Sequence, residues 1–235
     1  PAVYAALLDV LASADFASAK RAHFCNLPAA SPLLAQFEPI ARARGWRVQA
    51  RQEDVAPFIE LPASWDAYLE SLDKKQRHEM RRKLRRVAEV EHRWFTLPRE
   101  AAAAPAVRDF IELHKLSRPD KNVFMDVRMQ RFFGAMAELM HARGWLELSF
   151  LQIQNQPAAA IFSFVYHDAV LVYNSGYDPQ NFGAWSPGVV LFAFSIQDAI
   201  AARRRVYDLL QGNEEYKYRL GARDQKIFEI EIRRE

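Results

Sequence analysis

Asp208 interrupts an otherwise apolar run, with Val206 and Tyr207 before it and Leu209 and Leu210 after it. A carboxylate pressed among apolar neighbours has its pKa raised, which suits a base that must accept a proton near neutrality. Backbone N–H groups at a strand end would satisfy the same carboxylate without any chemistry, and the sequence leaves both readings open. Eight residues later stand Tyr216, Lys217 and Tyr218, a phenol, an ammonium group and a second phenol on one short segment. Upstream, Ser186-Pro187-Gly188 opens an apolar run. A helix start exposes unpaired N–H groups and the positive end of the helix dipole, so an anion such as a phosphate fits there, although Ser at the N-cap and Pro at the first position also make an ordinary helix start. Asp178 lies in a Tyr-Asp-Pro turn, where Asp commonly bonds its own backbone. Five of the chain's eight glycines, Gly176, Gly183, Gly188, Gly212 and Gly221, fall in the same stretch.

The elements that must position these residues follow from periodicity. A strand is expected at His92 to Leu97, a helix from Pro105 to Ser117, and a helix from Met129 to Arg143 that Gly144 closes in the left-handed region. An antiparallel meander follows, Trp145 to Gln154, Ala158 to Tyr166 and Ala169 to Ser175, with turns at Asn155-Gln156-Pro157 and His167-Asp168. Then come a helix from Pro187 to Ala202, a strand from Arg205 to Leu210, a helix from Glu214 to Leu220, and a last strand in which Phe228, Ile230 and Ile232 alternate with charged residues. Nearer the start, the expected elements are a helix near Tyr4 to Leu11, a strand at Arg21 to Asn26, a helix from Pro32 to Arg44 and a strand at Trp46 to Arg51.

One helical pattern stands apart. From Ser64, a suitable N-cap, Trp65, Leu69 and Leu72, then Met80, Leu84 and Val87, recur within each set at three- and four-residue spacing. Between Lys74 and Arg86 the chain reads KKQRHEMRRKLRR, so the other side of this helix is basic. That side is either a solvated face or a surface for an anionic partner; the absence of interleaved aromatic residues argues against RNA.

Composition narrows the class. The chain has 235 residues, half of them apolar, with formal net charge +3, enough for one large core or two small ones. The lone Cys25 can form no internal disulfide, its i, i+2 partner His23 has no orienting third group, and six scattered histidines give no zinc spacing. No metal is expected. No apolar run reaches the roughly 18 to 20 residues of a membrane span, and no basic-then-apolar leader is present, so a cytoplasmic, soluble protein is expected.

The order β-α-α-β-β-β-α-β-α-β resembles the acyl-CoA-dependent N-acyltransferase (GNAT) fold. The wording SGYDP, then SPG at a helix start, VYD and EYKYRLGA is similar to a branch related to cellulose-biosynthesis acyltransferases and to Fem-type aminoacyltransferases of peptidoglycan bridges. The segment from Leu61 to Leu72 with the basic helix resembles that branch too. The resemblance implies an α/β (α+β) fold, a GNAT-like mixed central sheet flanked by helices, preceded by a partial first GNAT-like lobe. Residues 1–60 would be the tail of that lobe, with upstream residues expected before Pro1, 61–91 a basic linker helix region, and 92–235 the acyltransferase domain. It implies transfer of an acyl group from acyl-CoA to an amine of a small molecule, glycan or peptide, in envelope or polysaccharide biosynthesis. Ser175, Gly176 and Tyr177 would flank the pantetheine arm, and Gly183, Ser186 and Gly188 would meet the pyrophosphate, although Pro187 removes one N–H from the usual glycine-rich loop. Asp208 would assist deprotonation, with Asp178 a second candidate carboxylate. Tyr216 would protonate the leaving thiolate, unless it is a tyrosine packed toward the core. Lys217 would sit in the donor or substrate cleft, unless it is an exposed helix lysine. The alternatives are Fem-like aminoacyl transfer from tRNA to a cell-wall precursor, with the basic helix as tRNA contact, and a non-catalytic GNAT-like binding module.

Overall fold

The computed structural model describes residues 2–13, 16 and 20–234. Expectations about what precedes Pro1 lie outside the described residues. In chain order the first elements are α1 (Ala2–Ala12), β1 (Arg21–Pro28), α2 (Pro32–Arg42), β2 (Trp46–Glu60), α3 (Trp65–Ser71), α4 (Lys74–Ala88) and β3 (His92–Thr96). Then follow α5 (Ala103–Ser117), α6 (Pro119–Phe124), α7 (Val127–Ala142), β4 (Leu146–Ile153), β5 (Gln156–Tyr166) and β6 (Ala169–Tyr177). The chain ends through α8 (Pro179–Phe182), a 3-10 turn (Gly183–Trp185), α9 (Pro187–Ala201), β7 (Val206–Asp208), α10 (Glu215–Arg219) and β8 (Arg223–Arg234).

Two compact units result. The first holds the chain up to Pro57, Gln211–Glu215 and the segment from Arg223 onward. In it β1 pairs antiparallel with β8 and the strand order is β1-β8-β2. Alternation on β8 points Ile230 and Ile232 into a small core with Leu8, Phe37, Ala41 and Trp46. Expected to continue a lobe beginning at residue 92, the last strand instead belongs with the N-terminal segment, because its ladder runs from Arg21↔Arg233 to Pro28↔Ile227.

The second unit comprises Phe58–Leu210 and Tyr216–Ala222. Its strand order is β2-β7-β6-β5-β4-β3, antiparallel throughout except for the parallel pair β6 and β7. Successive side chains of a strand point to opposite faces. One face packs Leu151, Ile153, Ile161, Val172 and Tyr207 under α9, α3 and α4; the other packs Leu148, Phe150, Ala160 and Phe162 against Phe110 of α5 and Phe133 of α7. This is a mixed sheet between helical layers.

Three local readings are corrected. The helical pattern from Ser64 to Val87 is two helices: Ser64 caps α3 by accepting from the Ala67 amide, but Leu72 is extended and Asp73 starts α4 by accepting from the Gln76 amide at 2.8 Å. An Asp that captures a backbone N–H ends one helix and begins another. The β4–β5 turn sits at Gln154 and Asn155, both with positive φ, so Gln156 and Pro157 already belong to β5. The short helices α6 and α8 were not expected.

Candidate functional site

The site arises where two strands part. β6 pairs with β7 only through Ala169↔Val206, Val170↔Tyr207 and Leu171↔Asp208, then runs on to Tyr177 without it. β7 stops because the Asp208 carboxylate accepts from the Leu210 amide at 2.8 Å and Leu210 turns into the left-handed region at φ 54°. The open edge of β6 is met by side chains. Ser117 Oγ accepts from the Tyr177 amide at 2.8 Å and faces the Tyr177 carbonyl at 3.2 Å; Lys121 Nζ donates to the Ser175 carbonyl at 2.5 Å; Asn174 Oδ1 accepts from the Ser175 amide at 2.9 Å.

A cavity of about 400 Å³ opens beside this edge, within the range of small-molecule sites. Ser175, Gly176 and Tyr177 line it, and so do Gly183, Ser186 and Gly188, together with Tyr216. The fold therefore gathers all six residues expected around a donor, and one of the four expected to act on it. Gly176 has a packing reason to be glycine: a Cβ there would lie 2.3 Å from the His114 amide nitrogen of α5. Ser117, Arg118 and Lys121 also line the cavity and went unnoticed in the sequence. The only signal was Pro119, which favours a first helical position and so announces α6, the helix that carries Lys121.

Ser186 occupies the N-cap position of α9 in an unexpected way. Its backbone is left-handed (φ 52°, ψ 52°) and its hydroxyl makes no capping bond. Pro187 contributes no N–H, and the first intrahelical bond runs from the Val190 amide to the Ser186 carbonyl. The amides of Gly188 and Val189 precede it, at the positive end of a 15-residue helix, and both residues line the cavity.

The remaining candidates do not line the cavity. Asp178 is buried and spends its carboxylate on α8: Oδ1 accepts from the Gln180 and Asn181 amides and Oδ2 from the Asn181 side chain. Asp208, half-buried at the parting of the strands, has its pKa raised by burial, against the opposing pull of the Leu210 amide and Lys217. Lys217 is 2 % exposed, not a surface lysine, and its ammonium donates to the Leu210 carbonyl at 3.0 Å. Tyr216 packs its ring 5.5 Å from that of Phe192 while remaining at the cavity.

Two strongly perturbed groups lie elsewhere. His114, 1 % exposed, has no partner for Nδ1, and burial, with Lys121 adding to it, depresses its pKa to about 4. Glu147 of β4 is pushed up to about 7 by burial and by Asp198. Cys25 is exposed, and His23 is committed to Glu229 at 2.7 Å, so the two form no thiol site. Among the described residues no group of three or more His, Cys, Asp or Glu could hold a metal, and no single helix is long and apolar enough to cross a membrane.

Residues 74–218 match the Acetyltransferase (GNAT) domain family. The chain belongs to that family, which makes it an acyltransferase of the GNAT type. No curated protein sequence matches it. Among solved structures, FemX is similar at 11 % identity with a TM-score of 0.67, over 96 % of this chain and 77 % of that one. L-PGS from Bacillus licheniformis is similar at 9 % identity and TM-score 0.63, over 97 % and 72 %. A C-terminal domain (DUF2156) from Agrobacterium fabrum, described as belonging to a candidate lysylphosphatidylglycerol synthetase, is similar at 12 % identity and TM-score 0.64, over 97 % and 72 %. At these identities the likeness is one of fold.

Proposed function

We propose that this chain transfers an acyl group from acyl-CoA to an amine acceptor carried by a small molecule, a glycan or a peptide. One observation carries the reading: the cavity lies where β6 outruns β7 and is lined by Gly188 and Val189, the residues that carry the two leading amides of α9. A pantetheine arm is an extended chain of amides suited to a strand edge, and its pyrophosphate suits a helix start. Ser117 and Lys121, which now hold that edge, would exchange their bonds for those of the arm.

The amine nitrogen attacks the thioester carbonyl, a C–N bond forms and the C–S bond breaks. Asp208 lies beyond the cavity lining, so it takes the proton that the amine loses through an intervening water rather than by direct contact, its raised pKa improving it as a base. Tyr216 gives its phenolic proton to the departing thiolate. Lys217 holds the Asp208 turn in place through the Leu210 carbonyl. Asp208→Asn and Tyr216→Phe are each expected to lower turnover by roughly 100-fold or more with donor affinity nearly intact, since general acids and bases contribute about that much. Gly188→Glu should remove acyl-CoA binding from a folded protein in calorimetry. Unchanged binding in that variant would sink the assignment of the α9 start, and near-wild-type turnover in either other variant would remove that residue's role.

A further inference from the structure

The largest charge feature of the molecule takes no part in that chemistry. Eight of the chain's 32 Lys and Arg and one of its 29 Asp and Glu lie in α4, so this helix carries +7 and everything else together carries −4. Lys74 and Lys75, His78, Arg81 and Arg82, then Arg85 and Arg86 are exposed and recur every three or four residues. They make one straight stripe about 18 Å long at 1.5 Å per residue. Arg82 is forked to Glu79. The helix packs by its apolar side against α9 and against the 3-10 turn whose Gly183 lines the cavity, so the stripe lies on the outer side of a helix that adjoins the segment at the donor site.

We infer that the α4 stripe docks an acidic helix of a carrier protein that delivers its acyl group to this cavity on a phosphopantetheine arm. The inference rests on the reading of the cavity as a site for an acyl thioester on such an arm. A partner one helix long meets only the +7 element. A folded RNA or a membrane covers far more surface and meets the net negative remainder, which repels it. The stripe also has no Phe, Tyr or Trp on which bases stack. Its apolar residues Met80, Leu84 and Val87 face the core and leave nothing to insert into lipid. Chemistry at the cavity is unaltered: the C–S bond broken is the carrier's thioester, and the thiol stays on the carrier's arm.

The test titrates acetyl-loaded acyl carrier protein and acetyl-CoA against the wild-type chain and against Arg81→Glu/Arg85→Glu/Arg86→Glu. Binding is read by calorimetry and transfer by release of free thiol to an amine. We expect saturable carrier binding that 0.5 M salt weakens, and a fall in the carrier-to-acetyl-CoA ratio of kcat/KM of roughly tenfold or more in the variant, as for charges that steer and register a partner. Absence of carrier binding, or a ratio that the substitutions leave unchanged, overturns the docking surface while leaving acetyl-CoA turnover to stand. Charge-dependent binding of the carrier without transfer from either thioester would retain the surface and remove the proposed reaction. Binding of tRNA or of anionic phosphatidylglycerol vesicles that the same substitutions abolish, with no carrier binding, also overturns it.

Discussion

The two halves of β6 are built from the same backbone but satisfied differently. Over Ala169–Leu171 its outer edge is matched by β7, backbone to backbone. From Ser175 to Tyr177 the same edge is held by Asn174, Lys121 and Ser117 side chains. Strand-to-strand bonds release only if the sheet opens. Side-chain bonds release by rotating a hydroxyl or an ammonium away, worth about 0.5–1.5 kcal/mol net for the hydroxyl and about 1.5–3 kcal/mol for the charged ammonium. A sheet edge covered in this way stays satisfied without ligand and can be exchanged for one, as a binding slot in a packed core requires.

The sharpest way to break this comparison is at Gly176, whose added Cβ would meet the His114 backbone at 2.3 Å, whereas one at Gly188 meets only the Tyr177 ring at 3.5 Å. Gly176→Ala is expected to cost about 3 kcal/mol or to prevent folding, with Gly188→Ala within about 0.5 kcal/mol of wild type in urea unfolding. Equal effects would mean that the open half does not rest on the α5 backbone.

Ser117→Ala comes next. It strips the partner from the Tyr177 amide and carbonyl and should cost about 1–3 kcal/mol without ligand. Saturating acyl-CoA should narrow that gap, because the arm would take over the vacated bonds; a gap of the same size with donor would put the ligand elsewhere.

The smallest effect tests the closed half, where Glu147 pairs with Ser163, itself opposite Val172. Its folded pKa, about 7, exceeds the ordinary 4.5. The native state therefore holds the proton that the unfolded state has lost, and stability falls as pH rises from about 4.5 to 7 and then levels. Glu147→Gln should remove this loss and gain roughly 1–2 kcal/mol at pH 8, after discounting for partial exposure. His114, depressed to about 4, contributes with the opposite sign between about 4 and 6.5 and cancels in the difference between variant and wild type. Chemical denaturation of both proteins at pH 5 and pH 8 measures it; a difference independent of pH would show that Glu147 is solvated.

Much of this was readable along the chain. The Ser64 cap, the alternation in the meander, Gly144 after α7 and the Ser-Pro-Gly start of α9 are local signals, and local signals survive in one dimension. Asp73 carried a cap signal of the same kind, masked by an apolar spacing that continues across the break from Leu72 to Met80. The site residues on β6 and at the α9 start were legible because a strand, a turn and a helix lie consecutively there. Ser117 and Lys121 were not, since 54 or more residues separate them from the carbonyls and amides they hold.

The sequence by itself determined the order and period of the elements, the basic face of α4 and the Ser-Pro-Gly helix start, because periodicity, capping and charge are properties of neighbours. Tertiary structure decided the rest. It ended β7 at Asp208 while β6 ran on, and it buried Lys217 against the Leu210 carbonyl. It turned the Asp178 carboxylate to α8 and closed the β6 edge with side chains from α5 and α6. Each of these depends on which buried polar group finds a partner, and a buried donor or acceptor takes whichever one the packed fold brings within about 3 Å, whatever the distance in sequence.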